Sequence, residues 1–152
     1  IEEVENHFSS YLNEEPVCIL VRDFNPDYDY PNCENNHINI PPEFYEKSID
    51  ILGRDRMYII CSNNIELTKN QEVFQGDNFI FNEVVPTDIY KGHFDLCLMS
   101  MCDDFIIANS TFSWWGAWLA NRGSVVAPKK WFGPNNQHLS TKDLYPASWK
   151  II

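Results

Sequence analysis

Three observations in the sequence predict an α/β fold, with a Rossmann-like parallel sheet flanked by helices. Short apolar runs with β-branched residues alternate along the chain with segments that have the apolar spacing of helices. The distances between the runs are those of βαβ units, whose strands lie parallel to one another. The run at residues 105–108 leads into a polar turn and then a helix, which is the order expected at the carboxyl edge of such a sheet.

Helical spacing and capping residues predict five helices in the chain. Pro41 and Pro42 precede the second helix and Gly53 follows it, an arrangement typical of helix ends. The predicted helices cover residues 1–15, 43–52, 65–69, 94–101 and 113–121. The last of these carries three tryptophans, which we expect in the core, and Gly116, which we expect to let the backbone approach the sheet closely.

Five apolar runs predict the strands of the sheet. They cover residues 17–22, 57–61, 79–81, 105–108 and 124–127. A loop rich in Asn, Asp and Pro, residues 23–40, follows the first strand, and a loop of that length is usually functional or mobile.

The length of the chain indicates a single domain spanning residues 1–152. A domain of this size buries roughly 68–70% of the surface of its unfolded chain. From Pro128 onward Pro, Gly, Trp and Asn predominate, which predicts that residues 128–152 form a tail packing on the same domain.

Composition argues against two classes of partner. The chain has 22 acidic against 11 basic residues, a net charge of −11, which disfavours binding to nucleic acid or to an anionic membrane surface. No apolar run approaches the roughly 20 residues of a membrane span. The oligomeric state is open.

Cysteine usage bears on the compartment. There are five cysteines with no C-x-x-C pair, and an odd number without a framework spacing favours a reducing compartment, hence the cytoplasm. The chain begins at Ile1, so a Golgi-lumenal or membrane-associated location is the alternative if an upstream segment is missing.

The turn after the fourth predicted strand is the first candidate site. It contains Asn109, Ser110, Thr111 and Ser113, at the start of a helix. A helix N-terminus offers free N–H groups and the positive end of a dipole, which favour phosphate. The alternative is that these residues are simple helix caps.

Two further groups fall at the same predicted edge. Arg22 ends the first strand, where a guanidinium can clamp a diphosphate with paired hydrogen bonds, or can simply pair with an acid. Ser62, Asn63 and Asn64 follow the second strand and fit either helix capping or ligand contact.

A metal site is a weaker hypothesis. Asp27 and Asp29 form a D-x-D pattern that can hold Mn²⁺ or Mg²⁺ against a diphosphate, but the pattern is a weak signal in so acidic a loop and a solvated turn is the favoured explanation. The four histidines have no ligand spacing, and Walker and G-x-G-x-x-G loops are absent.

One stretch resembles a known family. Residues 108–119, Ala-Asn-Ser-Thr-Phe-Ser-Trp-Trp-Gly-Ala-Trp-Leu, closely resemble the signature of glycosyltransferase family 11, the α-1,2-fucosyltransferases. Residues 95–102, 125–128 and 131–132 resemble the neighbouring segments of that family. The resemblance runs from about Val17 to the end of the chain and is strong over residues 95–132.

The resemblance implies a function. It implies the nucleotide-sugar-binding half of a GT-B-type enzyme that needs no metal and no cofactor. The reaction implied is the inverting transfer of fucose from the donor GDP-fucose to a sugar hydroxyl of a glycan acceptor, as in a galactoside α-1,2-fucosyltransferase.

Residue by residue, the resemblance is imperfect at the family motif His-x-Arg-Arg-Gly-Asp-Tyr. Arg22 matches its phosphate-binding arginine, but Leu20 replaces the histidine and Asp23 replaces the second arginine. Asp23 or Asp27 is the candidate base for the acceptor hydroxyl. The triplet at residues 62–64 resembles the family's Ser-Asp-Asp.

Two alternative functions remain open at this point. The altered motif fits a nucleotide- or carbohydrate-binding module that no longer catalyses, which turnover of GDP-fucose measured beside GDP binding would separate. A metal-dependent glycosyltransferase using Asp27 and Asp29 would lose activity with EDTA.

Overall fold

The computed structural model describes residues 1–152 and confirms the predicted α/β class. A single sheet of six parallel strands has the order β3-β2-β1-β4-β5-β6. The strands are β1 Val17–Val21, β2 Tyr58–Ser62, β3 Phe79–Phe81, β4 Asp104–Ile106, β5 Val125–Ala127 and β6 Lys150–Ile151. The helices are α1 Glu2–Leu12, α2 Cys33–Asn36, α3 Pro42–Leu52, α4 Ile65–Lys69, α5 Lys91–Met101 and α6 Thr111–Ala120. Short 3₁₀ turns lie at Glu72–Phe74 and Pro134–Asn136.

The sheet is covered on both of its faces. Every residue of β1 is buried, whereas a half-exposed strand would alternate. The core comprises 29 buried residues in one cluster, so the chain folds around a single centre. Helix α5 packs between α1 and α6; Phe8 of α1 meets Phe94 of α5 with ring centroids 6.2 Å apart.

The strand order places a crevice at the middle of the sheet. From β1 the chain proceeds outward through β2 to β3, and it then crosses back to place β4 on the other side of β1. This is the order of the doubly wound nucleotide-binding folds, which bind ligands where the winding reverses. The carboxyl ends of β1 and β4, followed by Arg22 and by Asn109–Ser110, meet at that point.

Two parts of the predicted layout needed correction. The loop at residues 23–40 contains the short helix α2. The tail after Pro128 does more than pack on the domain, because it ends in β6, which pairs with β5 through Val126–Lys150 and Ala127–Ile151. The tail therefore completes the sheet.

Helix α6, which carries three tryptophans, buries a different face from the one expected. Its buried face is formed by the small residues Ser113, Gly116 and Ala117. Trp115 and Trp118 are each 49% exposed, so the expectation that all three tryptophans lie in the core is wrong. Gly116 allows a close approach, but to Met99 of α5 and not to the sheet.

All five cysteines are unpaired thiols. Cys18, Cys61 and Cys102 lie together in the core, and hydrogen bonds to its two neighbours together with burial raise the pKa of the Cys18 thiol. They behave as small apolar side chains. No helix of the structure has the length and apolarity needed to cross a membrane.

Candidate functional site

A cleft of about 590 Å³ opens at the carboxyl edge of the sheet, at the predicted reversal point. Its walls come from the end of β1 with the following loop, the end of β2, the first turn of α5 and the start of α6. Of the residues predicted for the site, Arg22, Ser62, Asn63 and Ser110 line this cleft. The volume lies within the roughly 300–1,000 Å³ typical of small-molecule sites.

Arg22 is held in place by three contacts. Its guanidinium donates to the Asp23 carbonyl at 2.9 Å, pairs with the Asp29 carboxylate, and lies over the Phe24 ring, 4.7 Å from the centroid. The side chain is 24% exposed. A guanidinium has five N–H donors, and the chain uses only two of them. The remaining donors are available to an anion in the cleft.

The pKa of Asp29 reflects its pairing with Arg22. Burial by itself raises the pKa of Asp29, but hydrogen bonds from Arg22 and from the Asn25 N–H outweigh it and the pKa is lowered. The carboxylate therefore stays ionised and orients the guanidinium.

Asp23 is tied into a polar network. Its carboxylate accepts from the Tyr28 hydroxyl, from the Asn64 amide at 2.8 Å and, at 3.5 Å, from Asn39. Its backbone N–H and carbonyl exchange two 2.9 Å hydrogen bonds with the Asn63 side chain. This network joins the loop after β1 to the turn after β2, so it fixes one wall of the cleft.

The turn after β2 also caps helix α4. The Asn64 Oδ1 accepts from the Leu67 N–H at 3.2 Å, and the Ser62 hydroxyl accepts from the Asn64 N–H and from the Thr68 hydroxyl. Helix capping and a position at the cleft are therefore both found in residues 62–64. Asn64 caps α4, and Ser62 and Asn63 line the cleft.

Ser110 is the predicted residue best placed for an anion at the start of α6. It is the N-cap of the helix, yet no side chain caps the first-turn N–H groups. Ser110 and Phe112 face the cleft, whereas Thr111 lines a separate pocket on the other side of the helix start. The uncapped N–H groups and the helix dipole together favour a negatively charged ligand here.

Two predicted residues of this turn point inward. Asn109 is 1% exposed and donates to the Ile38 carbonyl at 3.0 Å and to the Trp131 carbonyl at 2.9 Å. The Ser113 hydroxyl is buried between the Ala108 carbonyl at 2.9 Å and the Ser110 carbonyl at 2.7 Å, and its single O–H donates to one of them or is shared between the two. Their side chains shape the turn and do not line the cleft, so the structure separates them from Ser110.

The sequence prediction missed a group on the first turn of α5. Lys91 and Asp95 line the cleft, and the Lys91 ammonium lies 2.7 Å from the Asp95 Oδ1. The same oxygen accepts from Asn82, also at 2.7 Å. Oδ2 of Asp95 accepts no hydrogen bond in the chain. The four-residue spacing of Lys91 and Asp95 was visible in the sequence, but it indicates a binding site only because α5 begins at the cleft.

Burial raises the pKa of Asp95 above its ordinary value, and the opposing hydrogen bonds from Lys91 and Asn82 do not cancel this effect. The folded protein therefore binds this proton more tightly than the unfolded chain does. Consequently the contribution of Asp95 to stability decreases as pH rises from the ordinary value of 3.8 through the raised value.

We expect Asp95→Asn to remove that pH dependence. Urea unfolding of parent and variant between about pH 4 and about pH 7 measures it. Across this window the unfolding free energy of the parent should fall relative to that of the variant. Parallel pH profiles for the two proteins would contradict the shift.

The metal hypothesis gains no support from the side chains around it. The Asp29 carboxylate is occupied by Arg22 and the Asn25 N–H, while Asp27 is exposed. Over the whole chain, residues 1–152, no three His, Cys, Asp or Glu side chains come together in a way that would hold a metal ion.

Comparison with known proteins agrees with the signature at the start of α6. The model of glycosyl transferase family 11 matches residues 11–152. The chain belongs to glycosyltransferase family 11. The resemblance seen in the sequence is confirmed by this match, which includes β1 and the altered motif after it.

Two relatives from Escherichia coli are similar to this family member. One, O-antigen biosynthesis glycosyltransferase WbnK, is 35% identical over 119 residues, covering 74% of this chain and 38% of the relative. The other, an alpha-1,2-colitosyltransferase, is 37% identical over 101 residues, covering 63% of this chain and 32% of the relative. The chain thus spans about a third of the length of each relative it matches.

Proposed function

We propose that this family 11 chain binds GDP-fucose in the cleft and contributes to the inverting transfer of the fucose to a sugar hydroxyl of a glycan. One observation carries the proposal. The cations of Arg22 and Lys91 and the uncapped starts of α5 and α6 all border one cleft at the reversal point of the sheet. Asp29 and Asp95 line the same cleft and pair with these two cations, so the support for an anion comes from the unused donors of Arg22 and from the N–H groups of the two helix starts.

The diphosphate of the donor fits these groups chemically. Transfer of the sugar leaves negative charge on the departing diphosphate, and preformed positive groups lower the barrier by stabilising that charge. Arg22 supplies the planar fork, Lys91 a compact charge, and the N–H groups behind Ser110 the helix dipole. No metal or additional cofactor enters the proposed reaction.

Asp95 is our candidate for recognising the base of the nucleotide. Guanine carries adjacent N–H donors on one edge, and a carboxylate is the acceptor that suits them. The Oδ1 of Asp95 is anchored by Lys91 and Asn82, which leaves Oδ2 for a ligand in the cleft. Uracil and cytosine lack that pair of donors, so this contact would favour GDP.

The base that accepts the proton of the acceptor hydroxyl is assigned between the two predicted aspartates. Asp23 already accepts hydrogen bonds from Tyr28 and Asn64, which occupy its Oδ2. Asp27 is exposed, and only its backbone N–H takes part in a hydrogen bond. Neither aspartate is among the residues that line the cleft. We choose Asp27 as the general base because its carboxylate accepts no hydrogen bond in the chain, whereas the carboxylate of Asp23 is held in the polar network.

Two other functions are kept for specific reasons. A relative is an alpha-1,2-colitosyltransferase, so a colitosyl group is the second candidate for the transferred sugar. The replacements Leu20 and Asp23 support a nucleotide-binding module without turnover. Release of GDP from GDP-fucose, measured with and without glycan acceptors, separates a transferase from such a module.

For the location we propose the cytoplasm, because all five cysteines are unpaired thiols.

GDP is expected to stabilise the folded chain against heat. At a concentration 100 times its dissociation constant, a ligand that binds only the folded state adds about 2.7 kcal/mol. Melting curves with GDP, UDP and CDP at equal concentration test the nucleotide assignment. A curve unmoved by GDP but raised by UDP would remove the guanine nucleotide from the proposal.

A further inference from the structure

A second, smaller pocket lies beside the cleft, on the other side of the start of α6. Its volume is about 250 Å³, and it is lined by Thr111, Trp114, Trp115, Trp131, Asp143 and Leu144. We call it the aromatic pocket. Ser110 faces the cleft and its neighbour Thr111 faces the aromatic pocket, so a single helix start separates the two.

We propose that the aromatic pocket binds one pyranose ring of the glycan acceptor; the acceptor role rests on the function proposed above. The volume is below the roughly 300–1,000 Å³ of pockets that hold larger small molecules, so it suits a single ring and not a nucleotide. Its position beside Ser110 places such a ring next to the donor.

The chemistry of the lining matches a sugar. A pyranose presents C–H bonds on its faces and hydroxyl groups around its rim. The electron-rich faces of tryptophan attract such C–H bonds, and a carboxylate accepts short, strong hydrogen bonds from hydroxyls. Asp143 is exposed and has neither an ion pair nor a side-chain hydrogen bond anywhere in the chain, so both of its oxygens are available.

The aromatic walls are fixed before any ligand arrives. Trp114 donates its indole N–H to the Leu144 carbonyl at 2.8 Å, which ties the helix to the loop that carries Asp143. Trp131 is 5% exposed and packs against Tyr145, with ring centroids 5.8 Å apart. A rigid site loses little conformational entropy on binding, which suits a weakly held neutral ligand.

Trp115 supplies the open wall of the pocket. It stands nearly perpendicular to Trp114, at 79° with centroids 5.1 Å apart, while 49% of its surface remains exposed. Trp118, one turn further along α6, contacts both Trp114 and Trp115, with ring centroids 6.1 and 5.4 Å apart, and so supports the walls of the pocket. Leu119 is 50% exposed on the same helix and does not line the aromatic pocket. The chain therefore offers a matched control on the same helix.

The test measures binding of methyl glycosides of galactose, glucose and N-acetylgalactosamine by saturation-transfer NMR, without nucleotide. The proteins are the parent chain and the variants Trp115→Ala, Asp143→Asn and Leu119→Ala, each checked by its melting curve. GDP binding is measured on all four by calorimetry. At least one glycoside should bind the parent. Its affinity should fall about tenfold or more with Trp115→Ala and about fivefold with Asp143→Asn, but less than about twofold with Leu119→Ala.

The outcomes separate the two proposals. If GDP binds and no glycoside does, or if Leu119→Ala weakens the glycoside as much as Trp115→Ala, the aromatic pocket is not a sugar site. A dimer that Trp115→Ala dissociates would likewise overturn the pocket, because a second copy would cover it. If a glycoside binds through Trp115 and Asp143 while GDP does not bind, the sugar site stands and the donor proposal fails.

Discussion

Arg22→Ala is expected to weaken binding of GDP by roughly 10- to 150-fold while leaving binding of guanosine much less affected. Hydrogen bonds to charged groups contribute roughly 1.5–3 kcal/mol each, and this range corresponds to that factor. Arg22 borders the cleft with donors that the chain does not use. Arg22→Lys should recover only part of the loss, because an ammonium lacks the planar fork.

The partner of Arg22 provides the control for this experiment. Asp29→Asn breaks the same ion pair from the other side but keeps the guanidinium and removes a negative charge from the cleft. We expect this variant to bind GDP at least as tightly as the parent. Calorimetry with GDP and guanosine makes the comparison, and Ser110→Ala should show a smaller diphosphate-specific loss than Arg22→Ala. If Arg22→Ala binds GDP like the parent, the motif after β1 has lost its function and the chain is better described as a pseudoenzyme or a binding module.

The sequence carried the pattern of the sheet because five of its strands have a local signature. Apolar runs such as the one before Arg22 are long enough to be recognised one at a time, and their spacing indicates parallel pairing. Strand β6 has only the two residues Lys150–Ile151 and exists through its pairing with β5, so nothing in its own sequence distinguishes it. Helix α2 has four residues and no apolar period.

The site was predicted in position but only partly in composition. Residue type and spacing place Asn109, Ser110 and Ser113 at the same turn, but they do not say which side chain faces a ligand. In the structure Asn109 and Ser113 donate to carbonyls of their own chain, and only Ser110 remains turned to the cleft. A polar side chain near a turn can either face a ligand or donate to a backbone carbonyl of its own chain, whenever an unpaired carbonyl lies within reach.

Lys91 and Asp95 on α5 were missed because their role depends on contacts that no local pattern reveals. Asp95 is one of four polar residues in α5. Its role depends on Asn82, which lies 13 residues away in the sequence, and on the position of the helix start at the cleft. Similarly, the tryptophans of α6 gave no local sign of which would be exposed. The small residues Ser113 and Gly116 decide this by packing close to the neighbouring elements. Contacts of this kind follow from tertiary packing and not from local pattern.

Gly116→Leu is expected to destabilise the folded chain without acting on the site. A Cβ at this position would overlap Cε of Met99, a fully buried residue of α5, and would lie 3.2 Å from Cβ of the same residue. The flexible end of Met99 can move aside, but its Cβ cannot, so the further atoms of a leucine require α5 and α6 to separate or Met99 to repack. Overpacking of this kind costs about 1–3 kcal/mol, and each kcal/mol lowers the melting temperature of a domain this large by roughly 2–4 °C.

A double variant tests whether Met99 is the cause. Met99→Ala opens a cavity by itself, but it also removes the atoms that the leucine would strike. The cost of Gly116→Leu should therefore be smaller in the Met99→Ala background than in the parent, an interaction that a double-mutant cycle from urea unfolding measures. Leu119→Gln, on the exposed side of the same helix, should change stability by no more than about 0.5 kcal/mol.

Because Gly116 faces α5 and does not line the cleft, the GDP affinity of the folded Gly116→Leu protein should stay close to that of the parent. A variant that melts like the parent but fails to bind GDP would place Gly116 at the ligand and contradict its role in helix packing.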